Sequence, residues 1–304
     1  MANNLDVTAI TGYVEEHKVE LIERSVEKDL ETAKMFKQVP DVLGKTSLPI
    51  LNTNVVIQNG KTCGFTASGS TAITERMIEP KILKVNMEWC YKDFADTFAN
   101  YKTRIGAGDE TLAFSEEFVN DVIRGTVKAN EEMLWQGDAV NDNEYDGLLT
   151  ILSDDVPSGN TAALTAGTAA YDGILKAYNL LPNRAIENDT YIFVSTSLYR
   201  KFIQELVAKN LYHFKGEEGE PKEIFLPGTS VKVKGVAGLD GTASYEYIVA
   251  ARTSNVYYGY EAKASDTKFW FSDDADTFRL KIQYAAGVQV AFPDEISLVT
   301  IAKA

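Results

Sequence analysis

Histidine, cysteine and long apolar runs are scarce in this sequence, and each shortage removes a class of function. Two histidines serve 304 residues, His17 and His213. A Ser-His-Asp enzyme needs an imidazole with partners nearby. His17 lies among the charges of the first helical pattern and His213 follows a helix end beside aromatic residues, positions that suit surface or packing roles. There is no G-x-S-x-G elbow. A His-rich zinc site is excluded by count, and the two cysteines, Cys63 and Cys90, have no CxxC spacing. Such cysteine usage fits a reducing cytosol. No apolar run approaches the roughly 20 residues of a membrane-spanning helix, and the opening MANNLDVTAI has no basic region followed by an apolar core, so neither a signal peptide nor a membrane partner is expected. Positive charge is also in deficit: 30 Lys and Arg stand against 44 Asp and Glu, a balance of −14. A surface of that sign repels phosphate, which argues against nucleic-acid binding by the whole chain and leaves room for a local basic patch only.

The partial motifs fail on their own chemistry. Gly60-Lys61-Thr62 resembles the end of a phosphate loop, but Val55 stands where the first glycine is required, and the stretch lies between strand-like residues instead of opening a helix. Asp142, Glu144, Asp146 and Gly147 imitate the start of a calcium loop whose last ligand should be a glutamate and is Ser153, so an acidic turn is expected there. Asp273, Asp274 and Asp276 read as a solvated turn. The aromatic residues Tyr245, Tyr247, Tyr257, Tyr258, Tyr260, Phe269, Trp270 and Phe271 fall at strand spacing, which favours core and subunit contacts over a ligand pocket. No catalytic residue, metal ligand or cofactor site is predicted.

What the sequence does have is a distinctive order of parts, α+β in class. Residues 12–38 read as one long amphipathic helix, with Val19, Ile22, Val26, Leu30 and Ala33 on one face, ended by Val39-Pro40. Residues 48–99 read as a two-stranded excursion, from NVVIQNGKTCGF to KILKVNMEWCYKDFADTF, with a small, polar tip at TASGSTAITERM. An isolated hairpin is marginal in water, so such an arm needs a surface to lie on, and a neighbouring subunit is the simplest one. With the tip near Ser68 to Ser70, Cys63 falls close to it and Cys90 near the base, too far apart for a disulfide. A second helix is predicted from about Ser115 to Gln136, its stripe marked by Phe114, Phe118, Val122, Ala129 and Met133, stopped by Gly137. SDDVPSGNTAALTAGTAA reads as a loop and a boundary. From there to about residue 269 helices (YDGILKAYNLLP, SLYRKFIQELVAKN) alternate with strands (YIFVS, SVKVKGV, YEYIVAA, NVYYGY), and TFRLKIQYAAGVQVAF and ISLVTIA close the chain.

This order resembles the major capsid proteins of tailed bacteriophages with the Hong Kong 97-type fold, over nearly the whole chain. AFSEEFVNDVIRGTVKANEEMLWQGD looks like the family's spine helix and its terminating glycine. YDGLLTIL resembles the glycine-then-apolar entry into the axial domain, and DTFRLKIQYAAGVQVAFPDEISLVTIA, with Gly287 and Pro293, looks like the terminal peripheral-domain strands. The resemblance implies an N-terminal arm and helix (1–47), an extended loop or E-loop (48–100), a peripheral domain (101–159 and 270–304) and an axial domain (160–269). It also implies hexamers and pentamers that build an icosahedral head around double-stranded DNA, bound without sequence specificity. Each E-loop would lie over an adjacent subunit. Expected partners are further copies of the chain, a separate scaffolding protein, a portal and decoration proteins, and the expected location is the virion, assembled in the bacterial cytoplasm. The candidate intersubunit contacts are Phe65, Ser68, Ser70, Arg76, Lys61, Lys81, Glu23 and Arg24, with Lys61 and Lys81 also placed where some relatives cross-link. Two alternatives stand beside this reading: an encapsulin shell around an enzyme, and an α/β enzyme or ligand-binding protein centred on residues 160–269.

Overall fold

The alternation of Phe278, Leu280, Ile282 and Tyr284 makes the strand around which the protein is organised. In the computed structural model, which describes residues 14–17, 20–21, 23–59, 67–90, 110–211, 223–261, 267–272, 274–275 and 277–303, strand β12 (Thr277–Val290) buries these four side chains. It turns Thr277, Arg279, Lys281 and Gln283 to the other face. One edge of β12 pairs antiparallel with β10 (Val256–Glu261) and β11 (Lys268–Ser272), the other with β4 (Lys81–Cys90). Strand β1 (Lys37–Pro40) adds parallel to β10 and completes a five-stranded first sheet. A second sheet of six strands has the order β5 (Thr161–Leu164), β13 (Ser297–Ala302), β9 (Tyr245–Arg252), β6 (Thr190–Ser195), β8 (Lys232–Val236) and β7 (Glu223–Phe225). A third, two-stranded sheet is the hairpin of β2 (Thr46–Asn54) and β3 (Ser70–Ile78).

Helix α1 (Glu110–Gln136) lies between the two larger sheets and packs on both. Its buried face presents Val119, Val122, Ile123, Leu134 and Trp135. The Trp135 ring meets Phe193 of β6 at 5.3 Å and Phe36 at 6.2 Å, spacings of favourable aromatic pairs. The far face of the second sheet carries α3 (Ala170–Leu180) and α4 (Thr196–Ala208), which bury Ile174, Phe202 and Leu206 against Ile192, Ile248 and Val299. Local polar chemistry fixes these helix starts. Ser195 Oγ accepts the Leu198 amide at the start of α4, and the Glu205 carboxylate accepts the Ala170 and Tyr171 amides at 2.9 and 2.7 Å at the start of α3.

The structure corrects several sequence expectations. The helix expected over 12–38 is shorter. Described residues between 14 and 23 are helical, a π-helical turn spans Arg24–Lys28 and closes with the Asp29 amide on the Arg24 carbonyl, and the chain then turns into β1. Val26, Leu30 and Ala33 are buried as the face required; the side chains of Val19 and Ile22 lie outside the described residues. The return strand of the hairpin is STAITERMI, not KILKVNMEWC, which crosses instead into the first sheet as β4. In α1, Ala129 is exposed, and the buried stripe runs one position away, through Asn130 and Leu134; the side chains of Phe114 and Phe118 are not among those described. The boundary loop contains a strand, β5, paired with β13. Strand pairing also crosses the expected division at 269/270: β10 joins the first sheet and β13 the second. Sheet membership depends on partners distant in sequence, which periodicity does not reveal.

Candidate intersubunit surfaces

The hairpin is the feature whose side chains are least accounted for by the chain's own packing. Its register runs from Thr46 opposite Ile78 to Asn54 opposite Ser70. At the base, Leu48 and Ile78 join Val42 in a small core against Val39 and Tyr257. Ile78 and Pro80 rest on Gly259 and Gly287 of the first sheet. A Cβ at Gly287 would stand 3.0 Å from Pro80 Cα, so the glycine permits this close backbone approach. The Arg76 guanidinium pairs with Asp155 at the end of α2 (Leu148–Asp155) and donates to Gln289 of β12 at 2.8 Å, while Gln289 donates to the Met77 carbonyl at 2.9 Å. These bonds tie the hairpin to the body.

Farther out the hairpin buries little. On the face opposite Leu48 and Ile50, the cross-strand pair Leu51 and Ile73 is 66% and 67% exposed. Beyond it Val55, Val56 and Ile57 are open to solvent, Ile57 at 94%. The Thr53 and Thr71 hydroxyls meet at 3.2 Å on the same face. Gly69, at φ +98°, precedes β3, and a Cβ there would meet the Asn54 carbonyl. Burial of a Leu or Ile side chain stabilises by roughly 1.5–3 kcal/mol, a gain this pair can collect only against another surface. Pro49 sits in β2 opposite Glu75 and lacks an amide hydrogen, which discourages pairing along the outer edge.

The expected contact residues fall into three places. Ser68 and Ser70 lie exposed at the far part of the hairpin, Ser68 accepting from Gln58. Arg76 and Lys81 lie at its base, and their partners are in the same chain: Asp155 and Gln289 for Arg76, and the Asn141 carbonyl at 3.0 Å for Lys81. Glu23 and Arg24 lie on the N-terminal segment. Glu23 accepts from Lys28 at 2.5 Å, and Arg24 reaches Asp29 at 3.0 Å and Asn120 of α1 at 2.9 Å. Lys61 and Phe65 lie outside the described residues, as do Cys63, His213 and most of KGEEGEPKE. The structure therefore does not gather the six described residues into one patch. The apolar residues Leu51, Ile73, Val55, Val56 and Ile57 were not singled out in sequence; the consecutive apolar run Val55-Val56-Ile57 between polar residues was the available signal.

The N-terminal segment is locked to the body by buried polar groups. Asn130 of α1 donates to the Ser25 carbonyl at 2.9 Å and accepts from Tyr284, and the Tyr258 hydroxyl donates to the Val26 carbonyl at 3.0 Å. The Glu131 carboxylate accepts the Thr32 amide at 3.2 Å and the Thr32 hydroxyl, and the Trp135 indole donates to that hydroxyl at 3.3 Å. Burial pushes the Glu131 carboxyl up to about 7, against the opposing pull of the Thr32 amide. Burial likewise pushes the Tyr145 and Tyr258 hydroxyls well above their ordinary range.

The acidic turn after α1 holds its carboxylates for its own backbone: Glu144 accepts the Asp138 amide at 3.1 Å and Asp146 the Ala139 amide at 2.9 Å. A groove of about 1000 Å³ between β4 and α1 is lined by Val85, Met87, Trp89, Gly125, Ala129 and Met133 among others. Of its two carboxylates, Asp121 pairs with Arg124 at 3.0 Å and the other is Asp142, so no converging acid pair appears there. Among the described residues no cluster of three or more His, Cys, Asp or Glu side chains is arranged for a metal, and no helix is long and apolar enough to cross a membrane.

No protein-family model matches the sequence, and no curated protein is similar to it. Solved structures do match in fold. One is from the satellite phage P4 procapsid including size determination (Sid) protein: TM-score 0.63, 11% identity, covering 100% of this chain and 94% of that one. Another is from the capsid of the native GTA particle: TM-score 0.57, 12% identity, 92% and 91% coverage. A third is the SrpI encapsulin of Synechococcus elongatus PCC 7942: TM-score 0.50, 10% identity, 88% and 85% coverage. With coverage this complete at either end of each comparison, the chain has the phage major-capsid fold, which the encapsulin shares.

Proposed function

We propose that this protein is the major capsid protein of a tailed bacteriophage, a structural subunit without catalytic function. Copies would assemble into hexamers and pentamers that form an icosahedral head around double-stranded DNA. The observation that carries the reading is the hairpin: two nine-residue strands that expose Leu51 and Ile73, with Val55, Val56 and Ile57 exposed just beyond β2. In the free subunit that apolar area faces water, and in an assembly it is covered. The hairpin is read as the E-loop, α1 as the spine helix, the first sheet with α1 as the peripheral domain and the second sheet with α3 and α4 as the axial domain. Scaffolding, portal and decoration proteins are the expected partners, and the virion the expected location.

Expression of the chain alone, followed by negative-stain electron microscopy and light scattering over a concentration series, tests the proposal. Hexamers, pentamers, sheets or tubes support it. A compact monomer at every concentration, with scaffolding protein added as well, overturns it. The encapsulin reading is favoured by the SrpI match alone. It predicts closed uniform shells from this chain by itself, carrying a protein cargo instead of DNA when isolated from the native source.

A further inference from the structure

The outer face of the first sheet is divided in two. At one end the hairpin base covers it, with Ile78 and Pro80 on Gly259 and Gly287. The other end is open, and its charge is the reverse of the chain's. On this face strands β4, β11 and β12 carry four cations, Lys84, Lys268, Arg279 and Lys281, and one carboxylate, Glu88, in a chain whose balance is −14. Glu88 is already engaged: it accepts from Thr277 at 2.7 Å and from Arg279 at 2.9 and 3.0 Å. Lys268 stands directly opposite Lys281, and Lys84 lies one pair further along, opposite Gln283. None of these three lysines pairs with a carboxylate among the described residues. Like charges directly across a strand pair are destabilising, so this row is unfavourable in the isolated subunit and calls for an anion. Beside it Trp270, opposite Arg279, is 39% exposed, and Ile82 is 60% exposed.

We infer that this open face, built on Lys84, Lys268, Lys281 and Trp270, is an interface that receives an acidic surface of a second copy of the chain. The inference rests on the shell reading and adds to it a site and a charge rule. The remainder of every copy is strongly acidic, so copies meeting elsewhere repel, whereas this face attracts. An exposed tryptophan beside cations is the composition of a protein-contact anchor. Nucleic acid fits less well: the one arginine here is held by Glu88, leaving no free guanidinium for bidentate phosphate recognition, and the chain as a whole repels a polyanion.

The test compares the wild type with K84E/K268E/K281E and with K84Q/K268Q/K281Q. Folding is checked by circular dichroism, and association is followed by sedimentation velocity across a salt series. The charge-reversed variant is expected to stay folded and to associate roughly 100-fold or more weakly. The neutral variant should associate with less dependence on salt than the wild type. Wild-type association in both variants overturns the inference while leaving the shell reading intact. Unchanged association with lost retention of double-stranded DNA also overturns it, assigning the face to nucleic acid. A wild type that never associates removes the shell reading and this inference together.

Discussion

The backbone amide of Gly147 donates to the carbonyl of Gly137 across 2.9 Å, closing the acidic turn between α1 and α2 into a clasp. Thr150 Oγ1 donates to the same carbonyl at 2.8 Å. A Cβ at Gly147 would lie 2.6 Å from the Gly137 nitrogen and 2.7 Å from the Met133 carbonyl oxygen, and neither backbone group is free to move aside. Gly147→Ala is therefore expected to destabilise the subunit by roughly 2–3 kcal/mol. Denaturant unfolding of the two proteins measures this.

Arg76 fixes the hairpin from its base. Its guanidinium is 24% exposed and Asp155 35% exposed, so solvent screens the pair only in part. Arg76→Ala is expected to cost about 1 kcal/mol in stability. Its larger effect should fall on the hairpin, which loses its bonds to α2 and β12 and becomes more sensitive to limited proteolysis. Asp155→Ala should produce a smaller form of the same change, and the double variant should add little to Arg76→Ala alone.

Glu131 makes stability depend on pH. Its carboxyl titrates at about 7 in the folded chain against an ordinary value of 4.5, raised mainly by burial. A raised pKa means that the folded state holds the proton more tightly, so this contribution is complete below about 4.5 and is lost as pH rises through 7. The total is on the order of 3 kcal/mol. Glu131→Gln keeps an acceptor for Thr32 without the charge and should flatten the decline of stability between pH 5 and 7, as unfolding curves at several pH values would show.

How much of this was legible in the sequence depended on whether one face of an element was dry. Strand β12 and helices α1 and α4 bury one face and expose the other, so Phe278 to Tyr284, and Leu198, Phe202 and Leu206, announced themselves by spacing. Strand β3 is exposed on both faces over most of its length, so no two-residue period marked it, and TASGSTAITERM read as a tip. The break at Glu79-Pro80 that sends β4 into another sheet has no periodic signature either. Glu131 was passed over because a carboxylate in an amphipathic helix normally reads as solvated. Its position four residues after Val127 and four before Trp135 was the overlooked sign that it lies on the buried side.

The account's central claim is that the outward face of the hairpin is covered in an assembly, and L51D/I73D tests it most directly. Both side chains are two-thirds exposed in the subunit, so the cost comes from the two carboxylates facing each other across the strands, roughly 1 kcal/mol, and the subunit should stay folded. Sedimentation velocity of the wild type and this variant, side by side over a range of concentrations, is the decisive measurement. The account predicts capsomers or larger assemblies for the wild type and a folded, non-assembling subunit for the variant. A variant that assembles as the wild type does would contradict it.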